Sequence, residues 1–105
     1  MNIEDIASEI SSSISLAKQI EPFSKRGLVI SLQEAYDIAG IVRQKLAQTK
    51  IIGRKIGFTN RNIWNIYNVD QPIWGPITTN SISFFESNFL NIDLNQFCEP
   101  RIEPE

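Results

Sequence analysis

Ile51-Ile52-Gly53-Arg54-Lys55-Ile56-Gly57-Phe58-Thr59 is the stretch on which the fold of this chain turns. Its β-branched and aromatic residues, set between glycines, have strand character, and the run is too short and too rich in glycine for a helix. The chain before it has helical spacing instead. From Asn2 to about Ile20, the residues Ile3, Ile6, Ala7, Ile10, Ile14, Ala17 and Ile20 fall three and four apart, which makes one apolar stripe with Asn2 as its N-cap and Pro22 as its stop. The stretch from Glu21 to Ile30, with Pro22 and Gly27 around Lys25-Arg26, reads as a loop. Ser31-Leu32-Gln33-Glu34 then has the spacing of a capping box. It opens a second helix whose stripe, Leu32, Ala35, Ile38, Ala39, Val42 and Leu46, runs to about Thr49.

Beyond the central stretch the pattern is short and broken. Asn60 to Tyr67 predicts a short helix, and Asp70-Gln71-Pro72-Ile73-Trp74-Gly75-Pro76 predicts turns. Ser81 to Phe85, Phe89 to Leu94 and Arg101 to Glu105 predict short strands. The order gives an α+β class, two N-terminal helices followed by short mixed strands, with residues 1–50 as a helical subdomain and 51–105 as the start of a β-rich domain. The chain stops at Glu105 inside a strand-like segment, so the sheet is expected to be incomplete.

The chain has 105 residues, a length that suits one domain. Its 10 Lys plus Arg against 12 Asp plus Glu give a net charge of −2, and the scattered basic residues give no electrostatic case for nucleic acid. The single Cys98 excludes an internal disulfide framework, and the absence of His removes histidine triads and most transition-metal sites. No apolar run approaches the ~20 residues of a membrane span. A basic leader with an apolar core is absent from the N-terminus, so a soluble, cytoplasmic protein is the expectation.

Lys55 draws attention because Gly53 and Gly57 lie two residues away on either side. On a strand these three share one face, so bare backbone flanks the ammonium and leaves space for a ligand. A lysine held out of water beside a second cation exchanges protons near neutrality. The same pattern also fits a solvated lysine on an edge strand. Glu103 and Glu105 are the second candidate. On an extended segment their carboxylates share a face, with backbones roughly 6.5 to 7 Å apart, and can converge on one oxygen-loving cation such as Mg²⁺. Pro104 between them makes that segment an edge or a bulge, and an acidic, frayed terminus is the plainer reading. Trp64, Tyr67 and Trp74 can line an aromatic pocket or fill a core. Cys98 reads as an inert small hydrophobe, and no phosphate-loop spacing is present.

Three blocks in register carry a family resemblance: Gly53-Arg54-Lys55-Ile56-Gly57-Phe58-Thr59-Asn60, Val69-Asp70-Gln71-Pro72-Ile73-Trp74-Gly75 and Glu99-Pro100-Arg101-Ile102-Glu103-Pro104-Glu105. Together with Glu34-Ala35-Tyr36 on the second helix, they resemble the 2-keto-4-pentenoate hydratase family. That family also holds 4-oxalocrotonate decarboxylases, within the fumarylacetoacetate hydrolase superfamily. The resemblance spans the chain but about the first 40% of a member of usual length. It implies the start of a fumarylacetoacetate-hydrolase-like β-barrel-type domain. It also implies a lyase acting on short unsaturated 2-oxo acids from aromatic breakdown, homo-oligomeric in the full-length parent. Mg²⁺ or Mn²⁺ would be held by Glu103, Glu105 and a third acidic residue beyond Glu105, with Lys55 as the motif lysine that handles protons. Ile73 stands after Gln71-Pro72 where family hydratases often carry an acid, a departure that leans towards a decarboxylase. Two further expectations stay open. The chain by itself can be a non-catalytic remnant or assembly module, and a histidine-dependent C–C hydrolase ranks last.

Overall fold

The computed structural model describes residues 1–104, so Glu105 lies outside the described residues. The chain divides into two compact units, one formed by Met1–Ala47 with the segment from Ser87 onward, the other by Gln48–Glu86. Its class is α+β, with three α-helices and one two-stranded antiparallel sheet among the described residues.

In the first unit, helix α1 spans Ile3–Ser15 and helix α2 spans Leu32–Lys45. Both begin on capping boxes. The Asp5 amide donates to Asn2 Oδ1 at 2.9 Å and the Asn2 amide to Asp5 Oδ2 at 3.3 Å. In α2 the Glu34 amide donates to Ser31 Oγ at 3.2 Å, while the Ser31 amide reaches Glu34 Oε2 at 2.8 Å. These bonds occupy amides that a helix start otherwise leaves unpaired. The helices bury Ile6, Ala7 and Ile38, with Ile3, Ile10, Phe23, Ile30, Ile41 and Val42 packed around them. Arg26, in the 3-10 turn Phe23–Arg26, pairs with Glu9 at 3.0 Å and lies 4.3 Å from the centre of the Phe23 ring.

Both helices stop earlier than their stripes predict. After α1, Ala17 takes a left-handed φ of 50° and the Lys18 amide donates to the Ser13 carbonyl at 2.9 Å. This closure satisfies the last carbonyls without a further helical turn. Ser11 and Ser13 also bond back to the carbonyls of Ala7 and Glu9, which weakens continuation of the helix. In α2 the buried face runs through Ile38, Ile41 and Val42, while Ala35 and Ala39 are exposed. A small methyl gains little by burial, so the larger Ile41 replaces them in the contact.

In the second unit, strand β1 (Ile51–Gly57) pairs antiparallel with strand β2 (Ile73–Thr78). Between them, a 3-10 turn over Arg61–Ile63 runs into the single-turn helix α3 (Trp64–Tyr67), as Asn60 to Tyr67 predicts. β2 lies where turns are expected, a correction caused by Pro72, Gly75 and Pro76. In a sheet of two strands each strand has an outer edge, so a proline whose missing N–H faces that edge costs no ladder bond. The strands expected at Ser81 to Phe85 and Phe89 to Leu94 do not form, and 101–104 has no regular structure. A strand exists only with a partner, and here side chains bond their own backbone instead. The Asn95 amide donates to Asp93 Oδ1 at 2.9 Å, starting the 3-10 turn Leu94–Gln96.

The α2 cap makes a pH-dependent prediction. The Glu34 carboxyl is held below its ordinary value by the Ser31 hydroxyl and then the Ser31 amide. A lowered folded value means the carboxylate stabilises the fold above its unfolded pKa, and that contribution is lost as pH falls through the folded one. Ser31→Ala is expected to cost about 1 kcal/mol at neutral pH in thermal or urea unfolding. The deficit should narrow in acid, and a deficit independent of pH would contradict the linkage. In the sheet, Gly75 has no positive φ, and a Cβ added there meets no atom within 4 Å. Gly75→Ala should therefore melt at the same temperature or slightly higher.

Candidate functional site

The site grows from the pairing of β1 with β2. Lys55 faces Gly75, Gly57 faces Ile73, and Gly53 faces Ile77. One sheet face thus carries Lys55 amid Gly53, Gly57 and Gly75, with Ile73 and Ile77 at its corners. A Cβ on Gly53 would stand 3.8 Å from Ile77, and one on Gly57 3.8 Å from Ile73, so the isoleucines occupy the margins and leave the middle bare. An open depression of about 590 Å³ lies on this face, reached also by Pro76, Ser81 and Ile82. Its surface is mostly apolar, and Lys55 is exposed to solvent. The chemistry available is a cation beside exposed backbone and aliphatic walls, suited to a small anion with a flat carbon skeleton.

The position of Ser81 is fixed by two bonds. Its Oγ accepts from the Thr78 amide at 3.0 Å and donates to the Thr78 carbonyl at 3.1 Å. This turn brings Ser81 and Ile82 back along the sheet to the depression. Neither these residues nor Gly75 stood out in the sequence. The signal for Gly75 is visible only through register, because it is the cross-strand partner of Lys55. On the opposite face Arg54 lies 5.1 Å from the centre of the Trp74 ring, next to Ile56 and Pro72, over a second depression of about 470 Å³.

The three aromatic candidates have separate roles. Trp64 donates its Nε1–H to the Phe58 carbonyl at 2.8 Å, and Tyr67 stands edge-on to the Phe58 ring at 5.4 Å. Both hold Phe58, whose left-handed φ of 54° is strained for a bulky residue and turns the chain out of β1. Trp74 instead belongs to the sheet. Cys98 is exposed, so it fills no core.

Glu103 lies in the other unit, exposed on the segment that follows the Glu99–Arg101 ion pair of 3.7 Å. Glu105, its expected companion, lies outside the described residues. Among the described residues no three His, Cys, Asp or Glu side chains gather as a metal-holding group. A cation at Glu103 therefore needs ligands beyond those described. No helix among them is long and apolar enough to cross a membrane.

No protein-family model and no solved structure matches the chain. Among curated proteins it is similar to a 2-hydroxypent-2,4-dienoate hydratase of Pseudomonas putida, with 31% identity over 78 residues. The match takes in 72% of this chain and 35% of that hydratase, so the chain spans about a third of the length of the relative it matches.

Proposed function

We propose that this chain forms part of a hydratase that adds water to a short unsaturated 2-oxo acid. The observation that carries this reading is the placement of Lys55 on a face bared by Gly53, Gly57 and Gly75. Its support from outside the chain is the similarity to the Pseudomonas putida hydratase. In the reaction, the hydroxyl of water bonds to the far carbon of the conjugated double bond and a proton goes to the neighbouring carbon. The Lys55 ammonium attracts the substrate carboxylate or its 2-oxo oxygen and can pass or hold that proton. Ile73, Ile77 and Ile82 present apolar surface to the carbon chain. Glu103 and Glu105 would hold Mg²⁺ or Mn²⁺ together with a further carboxylate. When bound, such a cation supplies Lewis-acid charge for the carboxylate and 2-oxo oxygens of the substrate.

A 4-oxalocrotonate-type decarboxylase is the second reading. It is favoured by Ile73, which lines the depression where an acid/base side chain would assist water, and by the lack of any acidic residue on either strand. The two readings separate in one assay. Hydration bleaches the conjugated absorbance of the 2-oxo acid without gas release, whereas decarboxylation releases CO₂.

In the active enzyme that contains this sequence, Lys55→Ala should lower turnover by about 100-fold or more, the scale of a lost proton-transfer group. Near-normal turnover would remove Lys55 from the chemistry. Glu103→Gln replaces a charged ligand by a neutral amide and should shift the Mg²⁺ titration of activity to higher concentration. An unchanged titration would count against Glu103 as a ligand.

A further inference from the structure

Ile73 and Ile77 stand at the depression because the ladder holds them there, whereas Ser81 and Ile82 line it from outside the two strands. Among the described residues no strand or helix follows Thr78 before the 3-10 turn Leu94–Gln96, so strand pairing does not fix where Ile82 lies. The turn after β2 does.

Thr78, only 2% exposed, is the buried base of that turn. The Ser81 amide donates to the Thr78 carbonyl at 3.0 Å. The Ser81 hydroxyl spans both polar groups of the Thr78 backbone, accepting from its amide at 3.0 Å and donating to its carbonyl at 3.1 Å. The Thr79 amide, donating to the Lys50 carbonyl at 3.1 Å, ties the same turn to the start of β1. Three bonds thus join Ser81 to one buried residue, and two of the three run through its hydroxyl.

A hydroxyl has a single proton to give. Here it is committed to the Thr78 carbonyl, so Ser81 stands at the depression neither as a donor to a ligand nor as a nucleophile. What it controls is the next residue. Ile82 follows directly, and its side chain is an apolar wall supplied by the turn rather than by the sheet.

We infer that Ser81 is a positioning residue, holding Ile82 against the carbon chain of the substrate. The inference rests on the hydratase reading of the depression. Without the hydroxyl, the Thr78 amide loses its acceptor, one bond of the three remains, and Ile82 leaves the wall for part of the time. The substrate then loses an apolar contact made before the reaction as well as during it, a loss that falls on KM more than on kcat. Threonine keeps the hydroxyl, and the φ of Ser81 is not left-handed, so a β-branched residue fits there.

The test is steady-state kinetics on the active enzyme that contains this sequence, comparing Ser81→Ala, Ser81→Thr, Ile82→Ala and the double variant of Ser81→Ala with Ile82→Ala. Ser81→Ala should raise KM about fivefold with a smaller change in kcat, and Ser81→Thr should restore it. Ile82→Ala should raise KM at least as much. Adding Ser81→Ala to it should change KM by less than about twofold, because the hydroxyl acts through a side chain already removed. Should Ser81→Ala not fold, Ser81→Cys takes its place, keeping the volume with a much weaker donor. An unchanged KM in the hydroxyl-less variant, a loss confined to kcat, or effects that multiply in the double variant would overturn the inference.

Failure of the hydratase reading shows elsewhere, as near-normal turnover of Lys55→Ala or as a lack of hydration. In that event NMR of the methyl-labelled chain judges the positioning by itself. Nuclear Overhauser contacts from the Ile82 methyls to the strand residues of the depression should vanish in Ser81→Ala and return in Ser81→Thr. Contacts that survive Ser81→Ala would overturn the role of the hydroxyl.

Discussion

Lys55 and Gly75 face each other across β1 and β2, and most of what the second unit offers chemically follows from that register. A cross-strand glycine removes the side chain that would otherwise cover the lysine stem. Gly53 and Gly57 do the same along the strand, so three glycines surround one cation on a single face. A shift of one residue would bring Lys55 opposite Trp74 or Pro76 and exchange the faces. The irregularity between Ile51 and Gly53, the Ser81 turn and the strained Phe58 lie at the ends of this ladder and fix its limits. Trp64 and Tyr67 hold the Phe58 end in place, which explains two aromatic residues that take no part in the depression.

The helical unit is organised by a different force. Its buried core is small, built on Ile6, Ala7 and Ile38, so the ends of its helices matter as much as its interior. Reciprocal caps at Asn2–Asp5 and Ser31–Glu34 satisfy the starts. Left-handed Ala17 and Ala47 close the ends, although both positions would suit glycine better. Charge pairs between Glu9 and Arg26 and between Glu4 and Lys45 sit at its surface, partly exposed, where each adds little.

Lysine chemistry and metal chemistry have different structural requirements. A lysine needs one supporting face, which a single hairpin-like sheet provides. A divalent cation needs several carboxylates converging from different parts of a fold, and among the described residues no such group exists. The hydratase to which the chain is similar is about three times the length of the matched segment.

Local features were legible in the sequence. The Asn2 N-cap, the Ser31–Glu34 capping box, the apolar stripes that hold Ile6, Ala7 and Ile38, the strand at Ile51 to Gly57, the short helix ending at Tyr67 and the shared face of Gly53, Lys55 and Gly57 follow from spacing and propensity, because each depends on neighbours a few residues away. The strand at Ile73–Thr78 was hidden, since two prolines and a glycine read as turns until an edge makes them harmless. The strands expected at Ser81 to Phe85 and Phe89 to Leu94 failed for the converse reason: β propensity is a preference for a pleated, half-buried surface, and among the described residues no partner strand supplies one there. Sequence by itself determined the helices, their starts and the composition of the lysine face. Tertiary structure alone decided which residues stand opposite Lys55, because register and pairing are set by contacts between segments that the chain order does not encode locally.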